Sequence, residues 1–276
     1  MIEMLNKAIN KVQIFKHKDQ SIDELEDHVS IEEPLEISIK SEKASKKKNI
    51  SITMRTPGDD TELSAGFLFT ESIITNTQVI EKIEVNDNKA LIYLRDDSTL
   101  DLEKLKRHFY TSSSCGVCGK ASIEAIHTLS EYTPTNHTLH VHDHIIKSLP
   151  KSLREQQAIF QQTGGLHAAA LCNTDGTIVK VMEDVGRHNA LDKLIGHYFL
   201  ADQLPLEKYI LLLSGRISFE LVQKAIMAGI QFIVAVGAPS SLAIELAEEY
   251  DVTLVGFAKA DRFNVYNGNH RIKTKK

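Results

Sequence analysis

Cysteine is scarce in this 276-residue chain, with three residues, an odd number. That is too few for the disulfide scaffold of an exported domain, so reduced thiols available for chemistry are expected. No run approaches the roughly 18 apolar residues of a membrane span. The N-terminal Met1-Ile2-Glu3-Met4-Leu5-Asn6-Lys7 lacks the charged-then-apolar order of a signal peptide. The expectation is a cytoplasmic protein without a membrane partner. Excess positive charge is missing too: the formal net charge is -5, which removes the global electrostatic case for nucleic acid. Basic clusters at Lys43, Lys46, Lys47 and Lys48 and in the tail Arg271–Lys276 read as solvated loop and terminus. Neither a Walker motif nor Gly-x-Gly-x-x-Gly occurs, which disfavours ordinary nucleotide hydrolysis and Rossmann-type dinucleotide binding. The remaining composition is ordinary, at 42% hydrophobic and 25% charged. It suffices for two modest domains or one large one.

Two of the three cysteines stand together in Ser113-Ser114-Cys115-Gly116-Val117-Cys118-Gly119-Lys120. Thiolate is the reacting form, and a nearby cation or helix N-terminus lowers the thiol pKa. Lys120 supplies a cation, and the apolar, helical-looking run that follows places a helix N-terminus beside Cys118. A Cys-x-x-Cys pair by itself serves half zinc sites, redox pairs and sulfur carriers alike. Cys172 ends an apolar strand and reads as buried and inert.

The first half is strand-rich, with Val12–Phe15, Leu35–Lys40 and Ile50–Arg55 of strand length and composition. Thr56–Asp60 reads as a turn, and Asp59 and Glu62 have capping-box spacing ahead of a helix. Ile80–Val85 and Ala90–Arg95, joined by Asn86-Asp87-Asn88-Lys89, read as a hairpin. A small β-rich domain is expected to end near residue 110 (domains 1–110 and 111–276). The cysteine loop is followed by expected helices at about Lys120–Glu131 and within Asp143–Gln161, the latter broken near Pro150. Leu166–Cys172 and Thr177–Glu183 flank Asn173-Thr174-Asp175-Gly176, a hairpin signal. Then come a helix at Arg187–Phe199, strand Tyr209–Leu213, helix Phe219–Ala228, strand Phe232–Val236, a helix to Glu249 and strand Val252–Phe257. Strand, turn and helix in repetition mean an α/β fold with a mixed sheet, α+β over the whole chain.

In open α/β sheets ligands bind outside the carboxyl ends of the strands. Those ends carry Asp184-Val185-Gly186-Arg187-His188-Asn189, then Ser214, Gly215, Arg216 and Ser218, then Gly237, Pro239, Ser240 and Ser241, then Lys259, Asp261 and Arg262. Glycines there admit a ligand to the backbone, and helix N-termini offer N–H groups to an anion. Arg187, Arg216, Lys259 and Arg262 add positive charge to an acidic protein. The combination points to a large anionic ligand carrying phosphates. His167, after Gly164 and Gly165, marks another point of close ligand approach.

These motifs resemble those of the formate dehydrogenase accessory sulfurtransferases, the FdhD family. The matching stretches are Arg55-Thr56-Pro57-Gly58, Gly66-Phe67-Leu68-Phe69, Cys115-Gly116-Val117-Cys118-Gly119, Thr163-Gly164-Gly165-Leu166-His167, Glu183–Lys193, Ser214-Gly215-Arg216 and Gly256–Tyr266. The resemblance implies a C-terminal cytidine-deaminase-like three-layer α/β/α domain behind the β-rich one. It implies a sulfurtransferase in which Cys115 accepts sulfane sulfur from a cysteine desulfurase as a persulfide, with Cys118 as helper. The sulfur would go to a bis-guanine-dinucleotide molybdenum cofactor, bound as client, before its insertion into formate dehydrogenase. Phe257, Ala258, Lys259, Ala260, Asp261 and Arg262 become a cofactor-binding segment, joined by Arg187, His188, Ser214, Gly215, Arg216 and His167. Homodimerisation is implied by the family alone. Deaminase chemistry is not expected, because His167-Ala168-Ala169 has Ala where zinc deaminases carry their proton-shuttling Glu, and the Cys pair precedes it.

The rival readings are a structural zinc site, with His137, His140, His142 and His144 completing the Cys pair, a dithiol oxidoreductase, and a pure cofactor chaperone. No permanently bound metal is expected.

Overall fold

A computed structural model of the chain describes residues 7–19, 21–41, 47–95 and 139–274. The Cys115–Cys118 loop, the expected helix at Lys120–Glu131, His137 and the expected boundary near residue 110 lie outside the described residues. The chain opens with an antiparallel arm, β1 (Ile9–Lys18) and β2 (Ser21–Ser30). β2 has no place among the expected strands. Its Ser-Ile-Asp-Glu-Leu-Glu-Asp run is too acidic to read as a strand, and it is held by pairing with the basic β1, as in the Lys11–Glu26 ion pair.

β3 (Glu33–Ser41), β4 (Lys48–Arg55), β5 (Ile80–Asn86) and β6 (Lys89–Leu94) form a second sheet in the order β4-β3-β6-β5. Asp87 and Asn88 both take positive φ, the conformation a two-residue hairpin turn requires. Between β4 and β5 lies α1 (Asp60–Thr70). The expected capping box does not form, since Asp59 is left-handed and caps nothing with its side chain. Instead the buried Arg55 guanidinium grips Asp60 at both carboxylate oxygens, 2.8 and 3.0 Å, and the Asn88 side chain at 2.7 Å. A guanidinium withdrawn from water needs a bidentate acid, and that demand fixes the start of the helix.

The C-terminal sheet contains β8 (His167–Cys172), β9 (Ile178–Asp184), β10 (Ile210–Leu213), β11 (Phe232–Ala235), β12 (Thr253–Gly256) and β13 (Asn264–Asn267), ordered β13-β12-β11-β10-β8-β9. Side chains alternate between its two faces. Ala169, Leu171, Leu211, Leu213, Ile233 and Leu254 join one core, while Ala168, Ala170, Cys172, Leu212, Val234 and Val255 join the other. The first core is covered by α4 (Arg187–Leu200), α5 (Phe219–Met227) and α6 (Ser241–Glu249), and the second by α2 (Asp143–Gln156). This is the expected mixed α/β architecture with helices on both faces. The first core continues through α1 into Leu35, Ile37, Ile92 and Leu94 of the N-terminal sheet. α1 and α4 cross in backbone contact at Gly66 and Gly196, where a Cβ on either would collide with the carbonyl of Asp192 or Glu62.

α2 runs through Pro150 rather than breaking there. Its stripe Ile146, Leu149 and Leu153 is buried, and that burial outweighs the one backbone bond a mid-helix proline forfeits. The break falls at Gln157, before the short α3 (Ala158–Thr163). Two-residue strands β7 (Val141–His142) and β14 (Ile272–Lys273) pair in parallel and bring the C-terminal stretch back beside α2. Among the described residues no helix is long and apolar enough to cross a membrane.

Candidate ligand-binding site

Strand direction decides where the site lies. β10, β11 and β12 are parallel, and β8 is antiparallel to both β10 and β9, so β9 runs with β10. The carboxyl ends of β9, β10, β11 and β12 therefore share one edge of the sheet with the start of β8, which carries His167. The four ends collected from the sequence do converge.

The turn from β9 into α4 is held by a fully buried carboxylate. Asp184 accepts from the backbone N–H of Thr56 (3.1 Å) and Gly186 (2.8 Å), from Asn189 Nδ2 (3.0 Å) and from Lys193 Nζ (2.8 Å). Lys193, itself 1% exposed, also donates to the carbonyls of Thr56 (2.9 Å) and Glu183 (3.4 Å). Most of the Glu183–Lys193 run is thus spent on structure. Glu183 accepts from the N–H groups of Ile159 and Phe160 and caps α3. Asp192 binds Lys224 and Thr70 at 2.8–3.0 Å. Burial opposes the Lys224 charge, but the carboxylates of Asp192 and Glu71 outweigh it and raise its pKa. What this framework presents at the rim is Arg187 and His188, in the first turn of α4. Arg187 Nε is buried with no hydrogen-bond partner among the described residues.

His188 Nε2 lies 3.1 Å from Ser218 Oγ and 3.8 Å from Glu220. Burial works against the Glu220 charge, yet the bonds from His188 and Ser218 prevail and hold its pKa down at about 2. Ser214 Oγ accepts from Ala168 N–H at 2.8 Å and finishes the β8–β10 ladder. The half-buried His167 ring stands against Gly215, where a Cβ would come within 3.1 Å of Nδ1, so glycine is what admits the imidazole. Burial first, then the charges of Arg187, His188 and Arg216, lowers the His167 pKa below its ordinary 6.5. Of these neighbours Arg216 is exposed.

Phe257 follows β12 with φ 51° and its ring exposed, its N–H bonded to the Gly237 carbonyl at 3.0 Å. A bulky side chain in left-handed backbone stores strain of a kind that concentrates at ligand sites. Ala258 is fully buried and packs into the core, whereas Lys259, Ala260, Asp261 and Arg262 are exposed, their turn closed by Lys259 N–H on the Arg262 carbonyl at 2.8 Å. At the third strand end the polar groups are consumed locally. Ser240 caps α6 through Ala243 N–H, and Pro239 bridges to Ile217.

A cleft of about 740 Å³ opens along this edge and brings together His167, Ser214 and Ala260 at the strand ends with Arg154 of α2, Phe160 of α3 and Gln157 between them. Those last three were not among the residues expected in the site. In sequence they sit within an amphipathic helical stretch, and only the helix break at Gln157 turns them toward the strand ends. Cys172 is buried as expected, and burial pushes its thiol up to about 12. Ala169, where a deaminase would carry Glu, is a buried strand residue. Among the described residues no three His, Cys, Asp or Glu side chains converge on a possible metal position.

Fold and site together define a mixed α/β protein whose strand-end edge carries a cleft and, outside the cleft lining, the cations Arg187, Arg216, Lys259 and Arg262. Residues 30–273 match the FdhD/NarQ family, and the chain belongs to that family. It is 41% identical to the sulfur carrier protein FdhD of Streptomyces avermitilis, over 97% of both chains. It is 47% identical to that of Mycolicibacterium paratuberculosis, over 88% of this chain and 90% of the relative. With the FdhD of Sulfolobus acidocaldarius it shares 43% identity, over 96% of this chain and 98% of the relative. A crystal structure described as that of a formate dehydrogenase accessory protein from Desulfotalea psychrophila superposes with TM-score 0.71 and 25% identity, covering 96% of this chain and all of that one.

Proposed function

We propose that the protein is a sulfur carrier that serves formate dehydrogenase. The Cys115 thiolate attacks the terminal sulfur of a cysteine desulfurase persulfide. A sulfur–sulfur bond forms on Cys115, the donor cysteine leaves as thiolate, and no external oxidant is needed. Cys118, three residues on, assists the loading or release of that sulfur. The sulfur then passes to a guanine-dinucleotide molybdenum cofactor, bound as substrate in the strand-end cleft before it enters formate dehydrogenase.

The observation that carries this reading is the convergence of Arg187, Arg216, Lys259 and Arg262 on one edge of the sheet, in a chain of net charge -5. Pyrophosphate groups call for clustered guanidinium and ammonium donors and for helix N-termini. The unspent Nε of Arg187, at the first residue of α4, is a donor of that kind. The exposed ring of Phe257, at the end of β12, offers a stacking surface on the same edge of the sheet. Cys115→Ala is expected to abolish maturation of formate dehydrogenase in cells lacking the native gene, while Cys118→Ala retains part of it. Full maturation by the Cys115→Ala protein would remove the sulfur-carrier reading.

A further inference from the structure

His188 is held by a serine that local structure would use otherwise. Ser218 stands at the N-cap of α5, where a serine hydroxyl ordinarily accepts from the N–H groups of the first turn. Its side chain caps nothing. The hydroxyl is turned to His188 instead, 3.1 Å from Nε2, and it also bonds the carboxylate of Glu220. Glu220 Oε2 lies 3.8 Å from the same ring nitrogen, within ion-pair range.

This arrangement fixes where the ring carries its hydrogens. An ionised carboxylate accepts and has no proton to give, so the Ser218 hydroxyl donates to Glu220. Ser218 Oγ can then only accept from His188, and Nε2 holds a hydrogen in the neutral and the charged ring alike. Nδ1 has no hydrogen-bond partner among the described residues, and the side chain is 31% exposed. Nδ1 is therefore the nitrogen that gains or loses a proton with pH. It is a bare lone pair in the neutral ring and an N–H donor in the charged one, and only the second suits an anion.

The charged groups on the elements that meet here pull in opposite directions. Arg187, beside His188 on α4, and Arg216, in the turn after β10, oppose a further positive charge, and His167 at the start of β8 does so when protonated. Asp184 is already paired with Lys193. Glu220 is the carboxylate placed to favour the imidazolium. We infer that Ser218 and Glu220 are positioning residues, which turn His188 Nε2 inward and favour the charged ring, so that an oxyanion bound at the strand-end edge takes up a solvent proton on Nδ1. The inference rests on the reading of this edge as a phosphate site and adds the two residues that tune one of its donors.

Calorimetric titration of the full chain with inorganic pyrophosphate, between about pH 5 and 8 and in two buffers of different ionisation enthalpy, tests this. The wild type is expected to take up part of a proton on binding and to lose affinity as pH rises through the titration of His188. Glu220→Gln keeps the shape and removes the charge, and should move that loss down by about one pH unit. Nitrogen NMR of the free protein reads the tautomer independently of any ligand. The neutral His188 ring should carry its hydrogen on Nε2 in the wild type and in Ser218→Thr, which keeps the hydroxyl, and as a mixture of tautomers in Ser218→Ala. A wild type that binds pyrophosphate with the pH profile of Glu220→Gln, or a tautomer unchanged in Ser218→Ala, would overturn the inference and leave the phosphate reading standing. A wild type with no measurable pyrophosphate binding would overturn that reading, and the proton uptake with it.

Discussion

Lys193→Met isolates the framework that presents the cationic rim. Methionine fills nearly the same volume, so the change removes charge and donors without opening a cavity. Lost are the 2.8 Å ion pair to Asp184 and donation to the carbonyls of Thr56 and Glu183. Asp184, with no solvent exposure, is left with Thr56 N–H, Gly186 N–H and Asn189 Nδ2 as donors. Removing one partner of a buried pair costs roughly 3–5 kcal/mol, because the other charge stays behind uncompensated. Three surviving donors place the expected loss at the lower end, about 3 kcal/mol. Urea denaturation monitored by circular dichroism measures it as a lowered midpoint at unchanged slope. The double variant Asp184→Asn/Lys193→Met should fall short of the summed single losses by about 1 kcal/mol or more. A loss under about 1 kcal/mol for Lys193→Met, or strict additivity in the double variant, would refute the claim that this pair holds the β9–α4 turn.

Two further predictions concern the rim itself. His167 titrates below its ordinary 6.5 because burial and the neighbouring cations disfavour its charged form. A histidine whose pKa is lower folded than unfolded binds fewer protons in the native state, so it leaves stability intact above 6.5 and erodes it as pH falls through the folded pKa. NMR titration should find His167 below 6.5 in the free protein and higher with pyrophosphate bound, as the anion offsets the cations; an unchanged value with ligand would separate His167 from the site. Arg262→Glu should weaken guanine-nucleotide binding and leave persulfide loading of Cys115 unaltered. Equal nucleotide affinity in calorimetry would take Arg262 out of the binding site.

Much of the fold was legible because physical signals agreed along the chain. Ile210–Leu213, Phe232–Ala235 and Thr253–Gly256 are buried on both faces and read as short apolar runs, each followed by a turn and a helix. The Asn86–Lys89 and Asn173–Gly176 turns announced their hairpins through residues that tolerate positive φ. What could not be read depended on distant partners. β2 is polar and exists through β1. The start of α1 is set by Arg55 and not by a local cap. α2 survives Pro150 because its apolar stripe is buried. The strand-end rim followed from topology, and its positions were therefore predictable, whereas Gln157 and Phe160 reach the cleft through a helix break that no local pattern marks. Of the conspicuous Glu183–Lys193 run, Arg187 and His188 are the expected binding residues, and the buried Asp184, Asp192 and Lys193 support the turn and helix that present them.

The central claim is that Cys115 carries sulfur. Intact-mass spectrometry after incubation with a cysteine desulfurase and cysteine, without reductant, tests it most directly. The expected result is an adduct of one sulfur atom, mapped by peptide analysis to the fragment containing Cys115 and absent from Cys115→Ala. An unmodified protein holding one zinc per chain in the same sample would contradict the account and return the Cys-x-x-Cys pair to a structural role.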